Sequence, residues 1–93
     1  MNRKKLSDDE IAVSLVDLDG WNVEGKELKK RFEFKNFAAS LEFVNKVGVI
    51  AEERDHHPDI TFGWGYAEIA LTTHDTGGLT EFDFAVASAI EGI

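Results

Sequence analysis

Residues 59–73 read Asp59-Ile60-Thr61-Phe62-Gly63-Trp64-Gly65-Tyr66-Ala67-Glu68-Ile69-Ala70-Leu71-Thr72-Thr73 and hold two runs of alternation. Ile60, Phe62 and Trp64 mark the first run; Ala67, Ile69, Leu71 and Thr73 mark the second. Neighbouring side chains on a strand point to opposite faces, so each run presents one apolar side to a core. Gly65-Tyr66 suits a two-residue hairpin turn with glycine at its first central position, which predicts that the two strands pair antiparallel.

Outward from this hairpin the period changes. On the N-terminal side, Asn36 can cap a helix in which Phe37, Leu41, Val44, Val47 and Ile50/Ala51 form one apolar stripe. That helix should fail around His57, because Pro58 disfavours αR geometry in the residue before it. Further upstream, Trp21-Asn22-Val23 is a short strand candidate and Gly25-Lys26 a turn. Leu28 to Lys35 then alternates, with Leu28, Phe32 and Phe34 on one face and Lys29, Arg31, Glu33 and Lys35 on the other. Ser7 with Glu10 reads as a capping box, and Ile11, Leu15 and Leu18 continue at helical spacing, predicting a first helix from about Ser7 to Leu18 before Gly20. On the C-terminal side, Asp75-Thr76-Gly77-Gly78 breaks the chain. Thr80 then caps a last helix with Phe82, Val86, Ala89, Ile90 and Ile93 as its apolar positions.

The order is therefore αββαββα, and the class is α+β. Paired strands separated by helices predict a two-layer domain, a four-stranded antiparallel sheet with three helices on one face, spanning residues 1–93. Three helices cover only one sheet face, so the other face or an edge strand is exposed unless another subunit covers it. A homo-oligomer, dimer or tetramer, is expected.

Composition narrows the function classes. A chain of 93 residues supports one core. Eighteen acidic against ten basic residues, formal net charge -8, would repel a phosphate backbone, which argues against a nucleic-acid partner. The chain has no cysteine, so disulfides and thiolate chemistry are absent. Arg3-Lys4-Lys5 is followed by Ser7-Asp8-Asp9-Glu10 rather than an export signal's apolar run, and nothing approaches the roughly 18 to 20 apolar residues that span a bilayer. A cytoplasmic protein without a membrane partner is expected.

All three histidines fall in two places: Glu52-Glu53-Arg54-Asp55-His56-His57-Pro58 at the exit of the central helix, and His74 at the end of the fourth strand. One hairpin joins the two places, so the imidazoles can converge at one end of the sheet. Glu52, His56-His57-Pro58, Trp64, His74 and Asp83 also stand at the spacings of a known signature. On these residues, with Leu71-Thr72-Thr73-His74 and Gly77-Gly78-Leu79-Thr80, nearly the whole chain resembles the pterin-4a-carbinolamine dehydratases. It departs from common members at Gly63-Trp64-Gly65-Tyr66, where glycine replaces an asparagine or basic turn residue.

The resemblance implies dehydration of 4a-hydroxytetrahydropterin to quinonoid dihydropterin with no metal and no organic cofactor. It implies His56, His57 and His74 as the proton-handling residues, a task that suits imidazole near neutrality. It further implies a pterin contacted from Glu52, Pro58, Thr73, Asp75, Thr76, Trp64 and Asp83, and a functional link to an aromatic amino acid hydroxylase that makes the substrate. Glu52 lies one helical turn before His56, so its carboxylate is expected to face that imidazole. Two other readings stand beside the enzyme: a non-catalytic pterin-binding or protein-interaction module of the same fold, and a metal site built from Glu52, His56, His57 and His74. Plain structural roles also compete: core packing for Trp64, helix N3 capping for Asp83, and a solvated face for Lys29 and Arg31.

Overall fold

Each of the three helices begins where a side chain can satisfy a free backbone N–H. In the computed structural model, which describes residues 3–93, α1 (Asp8–Leu15) opens with the Ser7–Glu10 capping box. The Ser7 hydroxyl accepts from the Glu10 N–H at 3.2 Å, and the Glu10 carboxylate accepts from the Ser7 N–H at 2.8 Å. α2 (Phe37–Arg54) opens with Asn36 accepting from the Ala39 N–H at 2.9 Å. α3 (Glu81–Glu91) opens with a second capping box, Thr80 with Asp83.

α1 stops at Leu15, three residues short of the expected Leu18. Its last turn carries no basic side chain, and Asp17 follows, so nothing offsets the negative end of the helix dipole. Single turns replace it: the Leu18 N–H reaches the Leu15 carbonyl at 3.0 Å and the Trp21 N–H the Leu18 carbonyl at 3.2 Å, delivering both side chains to the core. α2 also ends sooner than the proline requires. Asp55 adopts left-handed geometry, φ 49°. The His56 N–H donates to the Ala51 carbonyl at 3.2 Å and the Asp55 N–H to the Glu52 carbonyl at 3.4 Å, the pairing of a Schellman motif.

Strands β1 (Asn22–Glu24), β2 (Glu27–Glu33), β3 (Asp59–Gly63) and β4 (Tyr66–Leu71) form one antiparallel sheet in the order β1-β2-β4-β3. Leu28 pairs with Leu71, Phe32 with Ala67, and Ile60 with Ile69, so these residues share the inner face. α2 and α3 cover that face with Phe43, Val47, Ala51, Phe84, Val86, Ala87 and Ile90, and Ile11 and Leu15 of α1 pack against the same cluster. Leu28, Ile69 and Leu71 are wholly buried, each contributing about 1.5–3 kcal/mol. Lys30 falls on this face too, opposite Ile69. Its ammonium, at the margin, donates to the Asp19 carbonyl at 2.7 Å and Glu91 at 2.8 Å, and Trp21 Nε1 shares that carboxylate at 3.0 Å.

The opposite face is polar. Arg31 pairs with Glu33 and Glu68, each at 3.3 Å, and stacks over the Tyr66 ring at 4.3 Å; Lys29 faces Glu24 at 3.7 Å. Lys29 and Arg31 are thus paired with acids on a solvated surface.

The hairpin turn sits one residue earlier than expected. Gly63 pairs with Tyr66, so its central residues are Trp64 and Gly65, not Gly65 and Tyr66. A Cβ on Gly63 would lie 2.9 Å from the Tyr66 ring, so the ring occupies the space that glycine leaves and holds Tyr66 in the strand. Gly65 takes φ +85°, and a Cβ there would come within 3.2 Å of the Phe34 carbonyl. Trp64 consequently leaves the strand and is 71% exposed rather than part of the core.

Candidate active site

The Schellman turn at Asp55 sends the two adjacent histidines in different directions. His56 turns inward and is 9% exposed, while the His57 side chain is 52% exposed. His56 Nε2 meets Asp83 Oδ1 at 2.6 Å, and its ring lies 6.0 Å from that of Phe82. His57 Nε2 pairs with the Glu52 carboxylate. Sequence spacing points Glu52 at His56; the structure gives it to His57, because the left-handed residue reverses the chain before His56 can continue the helical face. Pro58 follows, half-buried, at the entrance to β3.

Asp83 is 0% exposed and serves three donors. Besides His56 it accepts, at Oδ2, from the Thr73 hydroxyl at 2.8 Å and from the Thr80 N–H at 2.9 Å. The Thr73 and Thr80 hydroxyls lie 2.9 Å apart. The N3 capping role expected for Asp83 is therefore present, and the same carboxylate also ties the end of β4 to His56. The Thr73 side chain points into this network, and its carbonyl accepts from the Thr76 N–H at 3.2 Å, so Thr73 is held by its own surroundings at both side chain and backbone.

His74 opens a 3-10 turn, His74–Thr76, and is exposed. It follows Thr73 directly and lies at the same end of the β3–β4 pair as His57, whose strand starts with Asp59 opposite Ala70. The Thr76 hydroxyl lies 3.0 Å from both the Thr73 and the Gly78 carbonyls, its one hydrogen shared between them, and closes the turn. Both Asp75 oxygens are taken by Arg3 at 2.8 Å. That hydrogen bond from Arg3 is the main cause holding the Asp75 carboxyl below its ordinary value, with a smaller contribution from His56 in the same direction. Asp75, expected to bind a ligand edge, is thus engaged by the chain's own N-terminal arm.

Trp64 is the expected residue that this structure does not bring to the histidines. It caps the far end of the hairpin, and at about 3.3 Å per residue β3 alone separates it from His57 by roughly 15 Å. Nor do Glu52, His56, His57 and His74 form a metal-holding group: among the described residues no three His, Asp or Glu side chains converge in that way. A cleft of about 390 Å³ lined by Phe32, Phe34, Phe43, Ile90 and Ile93 includes none of the histidines. It takes its wall from the N-terminal half of α2, whereas the paired titratable groups stand where α2 ends and α3 begins.

Arg3 is the site residue that sequence reasoning missed. It read only as part of a basic run, yet its guanidinium lies 5.3 Å from the Phe82 ring as well as on Asp75. Its partner is 72 positions away, and no local pattern announces that contact.

A histidine–carboxylate pair inside a small α+β fold, a second such pair outside it and a third histidine at the same end of the sheet is an arrangement suited to proton transfer. A family profile described as pterin 4 alpha carbinolamine dehydratase matches residues 4–93. A Rubrobacter xylanophilus protein, whose name assigns it provisionally to that dehydratase, is 47% identical over 87 residues, covering 92% of this chain and 81% of its own. A Sulfolobus acidocaldarius protein with the same provisional name is 46% identical over 89 residues, covering 96% and 98%. The crystal structure of a transcriptional coactivator/pterin dehydratase from Brucella melitensis superposes with a TM-score of 0.90 at 31% identity, covering 96% of this chain and 97% of that one. A pterin dehydratase-like protein identified as a RuBisCO assembly factor in the alpha-carboxysome superposes at 0.64 with 29% identity, covering 77% and 83%. With a profile match that begins at Lys4 and runs to the last residue, and relatives alike over nearly their full length, this chain belongs to the pterin-4-alpha-carbinolamine dehydratase family.

Proposed function

We propose that the protein dehydrates 4a-hydroxytetrahydropterin to quinonoid dihydropterin, with His56, His57 and His74 moving the protons. The C4a–O bond breaks, the hydroxyl takes up a proton and leaves as water, and N5 gives up its proton. The reaction is redox-neutral and asks only for an acid and a base beside one flat ring, work to which imidazole is matched near neutral pH. The observation that carries this reading is the buried His56–Asp83 contact at 2.6 Å, next in sequence to a second histidine–carboxylate pair. Glu52 and Pro58 shape the helix exit around His57, and the backbone of the His74–Thr76 turn offers polar groups to the pterin's amide edge. An aromatic amino acid hydroxylase is the reaction class that generates such a carbinolamine. The unpaired edges of β1 and β3 and the exposed Phe37, Leu41 and Val49 of α2 favour a homodimer or homotetramer.

The test is stopped-flow formation of quinonoid dihydropterin from chemically generated carbinolamine. Wild-type protein accelerates it and His74→Ala does so far less. Equal rates for the two would favour the second reading, a pterin-binding or protein-interaction module. Two structural relatives named as a coactivator and as an assembly factor support that alternative.

A further inference from the structure

The hydrogens of the buried network can be assigned one by one. The Phe82 N–H donates to the Thr80 hydroxyl oxygen at 3.2 Å. The single Thr73 hydroxyl hydrogen goes to Asp83 Oδ2 at 2.8 Å, so across the 2.9 Å contact between the two hydroxyls it is Thr80 that donates to Thr73. Asp83 Oδ2 also receives the Thr80 N–H at 2.9 Å and is therefore an acceptor twice over. Only Oδ1 remains, and it faces His56 Nε2 at 2.6 Å. A carboxylate has no hydrogen of its own, so across this contact Nε2 donates and Oδ1 accepts. Among the described residues, no side chain or backbone group hydrogen-bonds the other ring nitrogen, Nδ1. Among the described residues no buried side-chain nitrogen or oxygen lacks a partner, so Nδ1 opens to the surface.

We propose that Asp83, oriented by Thr73 and Thr80, is a positioning residue that locks neutral His56 as its Nε2–H tautomer, so that His56 exchanges its working proton through Nδ1. The statement rests on the dehydratase reading for what that proton does, but the tautomer itself does not depend on it. A locked Nε2–H leaves Nδ1 with a lone pair in the neutral ring and a hydrogen in the cation, the two states a proton carrier needs. Asp83 never touches the substrate; its effect is to decide which nitrogen does.

Asp83→Asn inverts the arrangement without changing its shape. Two donors, Thr73 Oγ1 and the Thr80 N–H, converge on the Oδ2 position, so the amide oxygen is drawn there and the amide NH2 is left facing His56. Nε2 must then accept, the hydrogen moves to Nδ1, and the ring turns a donor toward the surface. The experiment is a long-range 1H–15N correlation spectrum of the 15N-labelled full chain at about pH 9, above the ordinary histidine range. His57→Gln and His74→Gln assign the other two imidazoles. Wild type should show a pyrrole-like Nε2 and a pyridine-like Nδ1 for His56; Asp83→Asn should show the reverse and lose roughly 10²- to 10⁴-fold in kcat, the range of general acid–base catalysis, with KM little changed. A pyrrole-like Nδ1 in the wild type overturns the proposal, and so does a folded Asp83→Asn variant that keeps the wild-type pattern. If that variant does not fold, the wild-type spectrum decides alone. A wild-type protein with the assigned tautomer but no dehydratase activity would sink the functional reading and leave the tautomer lock standing.

Discussion

Asp83→Ala should cost the fold heavily, and the cost can be worked from its contacts. The wild-type carboxylate is wholly buried and receives His56 Nε2 at 2.6 Å, Thr73 Oγ1 at 2.8 Å and the Thr80 N–H at 2.9 Å. Alanine orphans all three donors. A buried unsatisfied donor costs about 1–3 kcal/mol, and removing one partner of a buried charged pair about 3–5 kcal/mol. These terms overlap rather than add, and a water molecule entering the vacated space would recover part of them, so the expected loss is about 3–4 kcal/mol. For a domain of 93 residues, at 4–8 °C per kcal/mol, that lowers Tm by roughly 12–30 °C. Asp83→Asn keeps the volume and an acceptor for Thr73 and Thr80, and should lose only about 1–2 kcal/mol. Urea unfolding followed by tryptophan fluorescence gives both values at once. An alanine variant within about 1 kcal/mol of wild type would mean that water already serves the three donors in solution, and an asparagine variant as damaged as alanine would mean that shape and acceptor count are not what matters.

Other consequences are smaller or concern the surface. The Asp75 carboxyl titrates below the usual 3.8 because of Arg3, so the pair's stabilisation is present above that value and fades as pH falls through the lowered one; in Arg3→Ala a 13C titration should return the midpoint to the ordinary range, and an unmoved midpoint would contradict the contact. Gly65→Ala forces a side chain into φ +85° beside the Phe34 carbonyl and should destabilise by about 1–2 kcal/mol. Gly48→Ala, in open space within α2, should stabilise by about 0.5–1 kcal/mol; chemical denaturation that ranks the two variants the other way would refute the backbone assignment. His74→Ala should cost roughly 10²- to 10⁴-fold in dehydration rate while leaving the unfolding midpoint unchanged, since the side chain is exposed; a large loss of stability would recast it as structural.

What the sequence made legible was local. Ser7 with Glu10, Asn36 before its stripe, and Thr80 with Asp83 are signals that act across three residues, and all three helices begin at them. The alternation at Ala67, Ile69, Leu71 and Thr73 likewise names the residues that the core buries. The spacing of Glu52, His56-His57-Pro58, Trp64, His74 and Asp83 carried the family. Illegible features depended on partners far along the chain or on one unusual dihedral. The left-handed Asp55 exchanges the expected partner of His56 for one 27 positions away and hands Glu52 to His57. Trp64 kept phase with Ile60 and Phe62, but Tyr66 stacking over Gly63 ends the strand one residue sooner and turns the indole outward. Arg3 gave no hint of Asp75 because a contact across the whole chain leaves no periodicity to read.

A crystal structure with a bound dihydropterin bears most directly on the idea that three imidazoles serve a single heterocycle. The pterin should lie where α2 ends and β4 opens into its 3-10 turn, with His57, His74 and the Nδ1 side of His56 around C4a and N5. A pterin seated instead in the cleft of Phe32, Phe34 and Phe43, or one that His74 does not reach, would contradict it.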